Sequence, residues 1–215
     1  MACSLKHLQW YSAEGNEFLA SIVAGDETWA PDTVHMAPES KTASMMWKHP
    51  SSPSRIKFKV SPSTRKLVLT VFWDMKGVLL PRGSNVNSAT YCATLAKLRR
   101  AIRDKRNAAN QLIRLLHDNA RPLLPRPVRE KLHGYGWEVL EHPPYSPHLA
   151  PSDFNLFGPM KKFLGGKKFD SDNELKRAVR RWLFSQPTKF YETGIFKLIH
   201  RWDKCLNMHG SYVEK

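Results

Sequence analysis

Apolar positions fall into short runs in the first half of the chain and into helical stripes in the second. Residues 18–23 (FLASIV) form a brief apolar run closed by Gly25-Asp26, which predicts a buried strand with Asp26 at its end. Residues 55–60 (RIKFKV) alternate basic and apolar side chains and residues 66–73 (KLVLTVFW) are β-rich. The two are predicted as neighbouring strands, joined by a turn at Ser61-Pro62-Ser63. Residues 30–55 are rich in Pro, Ser, His and Lys and keep no period, so they predict a long excursion rather than an element.

From Ser88 the spacing turns helical: Tyr91, Leu95, Leu98 and Ile102 recur on one side, with Lys97, Arg99, Arg100, Arg103, Lys105 and Arg106 on a basic face. Residues 112–116 (LIRLL) predict a strand ending in His117-Asp118-Asn119, residues 128–132 a short helix, and residues 137–140 (WEVL) a further strand. After the Pro-rich segment HPPYSPHLAPSD a helix is predicted from Ser152, with Phe154, Phe157, Met160 and Phe163 along one side and Pro159 placed to kink it. Ser171 and Glu174 form a capping box ahead of Leu175, Val179 and Leu183. Ile195, Leu198, Ile199, Trp202 and Leu206 mark a last helix, with Gly210 as its stop. Strands first and helices last imply one α/β domain with a mixed sheet.

Composition adds a partner. The 215 residues suit one large domain, and 41% hydrophobic residues suffice for a core. Against 19 Asp and Glu stand 34 Lys and Arg, a formal charge of +15. Such an excess points to a polyanion, with nucleic acid foremost, because basic side chains gain affinity by releasing condensed counterions. A basic surface that binds nothing is the plainer alternative. No stretch approaches a membrane span and the N-terminal residues lack the apolar run of a signal peptide, so a soluble, intracellular chain is expected. Cys3, Cys92 and Cys205 are odd in number and lack CxxC spacing, which turns any metal site towards oxygen ligands.

Three aspartates then stand out: Asp26 past one strand, Asp118 past another, and Asp153 in the first turn of a helix. Each alone suits a turn or a helix start, where a short carboxylate accepts backbone N–H groups. Together they match what phosphoryl transfer needs, because carboxylates from separate elements can hold two divalent ions. Strand ends of an open α/β sheet are where such groups converge.

GDETW (25–29), LLHDNARP (115–122) and HPPYSPHLAPSDFNLF (142–157) strongly resemble, in order, the three signature blocks of mariner-type transposases. Between Asp118 and Asp153 lie 34 residues, the interval that defines the family. FWDMKGVLL, LPRGSNVNSATYCATL, FLGGKKFDSDNELK and the C-terminal stretch look family-like too, also resembling the transposase part of methyltransferase–transposase fusions. The resemblance implies a ribonuclease-H-like mixed sheet flanked by helices, with 30–55 as a clamp-like loop and a helical C-terminal end. It implies that residues 1–215 are a catalytic domain starting after the family's helix-turn-helix units. Asp26, Asp118 and Asp153 would hold two Mg²⁺ or Mn²⁺ ions, cutting a DNA strand and joining its 3′-hydroxyl to target DNA at a TA step. A homodimer acting on DNA in the nucleus is implied as well.

Other residues carry less. Asn119 and Arg121 are candidates to orient the second carboxylate or touch a phosphate, and Lys161, Lys162, Lys167 and Lys168 to track DNA, with a solvated surface as the alternative for each. His117 and His142 are candidate proton shuttles or plain structural residues. Trp29, Trp47, Trp73, Trp137, Trp182 and Trp202 are expected in the core or an interface.

Some positions depart from the family pattern. GVLLPRG is shortened, which implies a truncated strand, and Leu123-Leu124-Pro125-Arg126-Pro127 intrudes after NARP, implying a disrupted helix. His148 stands where an acidic residue is common. These changes motivate an alternative: a decayed chain that binds DNA or a partner without cutting. A nuclease of the same fold acting on RNA–DNA hybrids is a further possibility.

Overall fold

The computed structural model describes residues 2–29, 67–83, 88–106, 112–117, 126–165, 167 and 169–208. Two helices, α1 (Ala2–Glu14) and α2 (Asn16–Ser21), lead into strand β1 (Ile22–Trp29). Strands β2 (Val68–Asp74) and β3 (Gly77–Gly83) follow, then helix α3 (Ser88–Arg106), strand β4 (Arg114–His117), helix α4 (Arg126–Gly134) and the short strand β5 (Glu138–Val139). The last third is helical: a 3₁₀ turn at Pro147–Leu149, a π-helical stretch at Ser152–Phe157, then α5 (Gly158–Leu164), α6 (Asp172–Ser185) and α7 (Thr188–Asn207).

The sheet runs in the order β3-β2-β1-β4-β5, with β1, β2 and β3 antiparallel and β4 and β5 parallel to β1. This is the mixed ribonuclease-H-like arrangement that the resemblance implied. Period-two alternation sends Ile22, Ala24 and Leu116 to one face and Val23 and Leu115 to the other. The first face packs α1, α2, α5, α6 and α7 through Phe18, Leu156, Met160, Leu183, Leu198 and Trp202. The second packs α3 and α4 through Tyr91, Leu95, Leu98, Val128 and Leu132.

Several expectations need correction. The strand begins only at Ile22, because residues up to Ser21 close helix α2, and it runs through Asp26 to Trp29 rather than stopping at Gly25. Pairing of Ala24 with Trp73 through Trp29 with Val68 carries it on. Gly25 is a close-approach position: a Cβ there would lie 2.4 Å from Cε1 of Phe72. GVLLPRG is a strand along its whole length, paired to β2 from Gly77 to Gly83 with Pro81 on the sheet edge, where no ladder N–H is required. The prolines after NARP leave α4 intact, since Pro127 falls in its first turn, where a missing N–H costs little. Arg106 leaves the basic face of α3: its side chain is 3% exposed and pairs with Asp74 at 2.8 Å.

Helix α1 escaped the periodicity reading because its buried residues are Ser4 and His7 rather than an apolar stripe. The Ser171 cap forms, its Oγ accepting from the Glu174 N–H at 3.2 Å, while the Glu174 carboxylate reaches back to the Asp170 N–H at 2.8 Å, one residue before the N-cap. Ahead of Pro159 the helix is wound as a π-helix; the wider turn accommodates a residue that offers no N–H and crowds the preceding turn. Trp73, Trp137, Trp182 and Trp202 are buried, whereas Trp29 is 59% exposed and is no part of the core. Residues 30–55, including Trp47, the predicted strand at 55–60, the turn at 61–63 and Gly210 lie outside the described residues. Among the described residues no helix is long and apolar enough to cross a membrane.

Candidate active site

Three backbone segments meet at a small cleft, lined by Ala24, Gly25, Asp26, Leu116, His117 and, from the third segment, His142 and Ala150 to Ser152. β1 brings Asp26. Its neighbour β4 runs parallel with Gly25 opposite His117, so the two strands reach the cleft side by side. The third wall is the segment that carries Asp153 directly after Ser152.

Asp26 is half-buried on β1, and its Oδ1 accepts from the Glu27 N–H at 2.7 Å. By strand alternation it shares the face of Ile22 and Ala24, the face on which the Asp153 segment packs. Asp153 is exposed on the π-helical stretch, its N–H donating to the Ala150 carbonyl at 3.0 Å. π-Helical insertions are uncommon and concentrate at functional sites.

The start of this helix is fixed from below. Ser152 is buried, and the indole N–H of Trp73 on β2 donates to its hydroxyl at 3.0 Å. Asn155 is clamped by α7, donating to the Phe190 carbonyl and accepting from Lys197, both at 3.2 Å. Gly194 on α7 leaves room for that contact, since a Cβ would lie 2.5 Å from Nδ2 of Asn155 and 2.9 Å from the Trp73 ring. The carboxylate of Asp153 therefore stands between two residues held by the core.

Burial, then Glu27, then Asp26 push the Tyr91 phenol well above its ordinary pKa. Tyr91 on α3 lies near His117, ring centroids 6.4 Å apart. His117 and His142 are buried and line the cleft, which gives them a structural part there whatever protons they move. His148 is also buried; desolvation and then Arg201 lower its pKa, and Arg201 donates to its carbonyl at 2.7 Å.

Of the predicted site residues, Asp118, Asn119, Arg121 and Lys168 lie outside the described residues. Lys161 and Lys162 are exposed on α5, and Lys167 stacks over Phe163 at 3.1 Å. Among the described residues no group of three or more His, Cys, Asp and Glu is gathered closely enough to hold a metal ion. The donor chemistry nonetheless fits a hard divalent ion: the side chains at and beside the cleft are carboxylate and imidazole, while Cys3, Cys92 and Cys205 sit on α1, α3 and α7. Sequence reasoning missed Trp73, Ser152 and Asn155 as the support of this wall; Ser152 and Asn155 stand inside the third block, but Trp73 comes from a strand distant in the chain.

Residues 37–112 match the model of a family described as a transposase with a partial DDE domain. The mariner Mos1 transposase of Drosophila mauritiana is 38% identical over 204 residues, covering 92% of this chain and 57% of that protein. The human histone-lysine N-methyltransferase SETMAR is 32% identical over 205 residues, covering 92% of this chain and 29% of that protein. The chain thus spans little more than half of the first relative and under a third of the second. Among solved structures, the Mos1 catalytic domain with raltegravir and manganese aligns at a TM-score of 0.80 and 32% identity, covering 99% of this chain and 94% of that one. The Mos1 paired end complex with manganese aligns at a TM-score of 0.85 and 34% identity, covering 99% and 62%. Sharing about a third of its residues and the same fold with nearly the whole of a solved mariner catalytic domain, the chain belongs to the mariner transposases.

Proposed function

We propose that this chain is a transposase catalytic domain that cuts DNA strands at a transposon end and joins the freed 3′-hydroxyl to target DNA. The observation that carries the proposal is the cleft itself, at which the strand of Asp26, the end of β4 and the start of the Asp153 helix meet. Asp26, Asp118 and Asp153 are assigned as its carboxylate ligands for Mg²⁺ or Mn²⁺, and Mos1 structures with each ion support that assignment. Two such ions supply activation of the attacking oxygen and stabilisation of the leaving oxygen.

The chain's own part is positioning. β1 and the Trp73-braced helix hold two of the carboxylates on rigid elements. The excess of +15 draws the phosphate backbone to the molecule. Lys161 and Lys162, exposed on the helix behind Asp153, are assigned to phosphates, as are Asn119 and Arg121 after the second carboxylate. A homodimer working in the nucleus completes the proposal; the likeness of residues 30–55 to a clamp loop and the paired end complexes of Mos1 support the pairing. Light scattering would show twice the mass of the 24.7 kDa chain.

The decayed, non-cutting alternative loses its main motives, since β3 is continuous and α4 is not broken by the inserted prolines. The test is nicking of supercoiled plasmid with Mn²⁺. The wild-type chain nicks, Asp26→Asn and Asp118→Ala do not, and nicking that survives both changes would refute the assigned site.

A further inference from the structure

Between His142 and Ala150, both in the cleft wall, the chain makes a short excursion whose tip is Tyr145. This side chain is 94% exposed, so its ring packs on nothing in the free protein. Tyr145 is also the one non-glycine residue with positive φ among the described residues, at 56°. Pro144 followed by positive φ is the pattern of a type II turn, whose third position suits Gly or Asn. A tyrosine there carries backbone strain and gains no burial in exchange.

The excursion is stiff. Pro143, Pro144 and Pro147 limit its backbone, and Ser146 Oγ donates to the Pro144 carbonyl at 3.3 Å. Both ends are tied down, by buried His142 on one side and by buried His148 and Leu149 on the other. A flat aromatic ring is therefore held out, rigidly, beside the cleft that Asp26 lines, in a strongly basic chain. Such a ring suits stacking on a nucleobase, which every base can satisfy through its π-face.

Resting on the transposase reading above, we propose that Tyr145 is a substrate-positioning residue that stacks on an unpaired nucleobase next to the strand at the cleft. The base supplies the burial that the free protein lacks, and the fixed turn orients the adjoining phosphate relative to Asp26 and Asp153.

The test uses the full chain and a DNA duplex with a short unpaired extension carrying 2-aminopurine, whose fluorescence is quenched by stacking. Wild type and Tyr145→Phe should quench it. Tyr145→Gly, which relieves the strained turn and should melt no lower than wild type, should lose the quench. It should also bind the extended duplex on the order of tenfold more weakly, while its affinity for fully paired duplex is unchanged. Equal quenching by wild type and Tyr145→Gly, or equal weakening on paired and extended DNA, would overturn the proposal. If wild type nicks plasmid with Mn²⁺ but Tyr145→Gly quenches and binds the extended duplex as wild type does, this inference alone falls. If wild type neither binds nor nicks DNA, the transposase reading falls and takes it along.

Discussion

The indole N–H of Trp73, in the second strand of the sheet, donates to the hydroxyl of Ser152, one residue ahead of Asp153, at 3.0 Å and out of reach of water. A central strand thereby sets the start of the helix that presents a candidate metal ligand. Ser152→Ala leaves a buried donor without its acceptor, which costs about 1–3 kcal/mol. Urea unfolding should show that loss. Nicking, compared at equal folded fraction, should fall as well, because the helix start loses its anchor. Unchanged nicking with reduced stability would make the bond a stabiliser and nothing more.

Two glycines are close-approach positions, Gly194 behind the Asp153 helix and Gly25 on β1. Alanine usually improves a helix over glycine by about 1 kcal/mol. At Gly194, however, the added Cβ would meet Asn155 at 2.5 Å and Trp73 at 2.9 Å, and overpacking of this kind costs about 1–3 kcal/mol. Gly194→Ala should therefore destabilise the protein. Gly25→Ala should do the same against Phe72, and Gly25→Ala with Phe72→Leu should recover part of the loss in a thermal melt, since the clashing ring atoms are gone.

Much of this architecture is legible in the sequence, for particular reasons. Helices α3, α6 and α7 keep their apolar residues at helical spacing, and the Ser171 cap forms as its motif implies. What failed was local. FLASIV is too short for periodicity to separate helix from strand, and it contains the junction between α2 and β1. Gly25-Asp26 looks like a strand stop, yet the glycine is there to admit the Phe72 ring. Arg106 ends a basic stripe and cannot be told from its neighbours until Asp74 meets it. For the site, the blocks around Asp26 and Asp153 were legible through family resemblance. The Trp73, Ser152 and Asn155 supports were not, because they join positions far apart in the chain.

The buried ion pair between Arg106 and Asp74 ties α3 to the end of β2, both side chains being 3% exposed. Removing one partner strands the other charge, so Asp74→Ala should cost about 3–5 kcal/mol. Replacing both, as Asp74→Leu with Arg106→Met, should cost far less, and a double-mutant cycle by denaturant unfolding would show the coupling.

His7 predicts an acid sensitivity. Its ring lies 4.7 Å from that of Trp202, both nitrogens are buried without a hydrogen-bond partner, and desolvation lowers its pKa to about 4. The folded state therefore resists a proton that the unfolded chain accepts near pH 6.5. Stability is full above that value and declines as the pH falls towards about 4, with a ceiling of roughly 3 kcal/mol. His7→Phe should flatten this part of the stability–pH curve; an unchanged slope would assign the effect elsewhere.

The central claim is that Asp26, Asp118 and Asp153 share divalent ions. A crystal soaked in Mn²⁺ and measured at the manganese edge tests it most directly. Anomalous peaks within ligand distance of all three carboxylates are the predicted result, and they should vanish in Asp118→Asn. Carboxylates that remain too far apart to share an ion, with no peak between them, would contradict it.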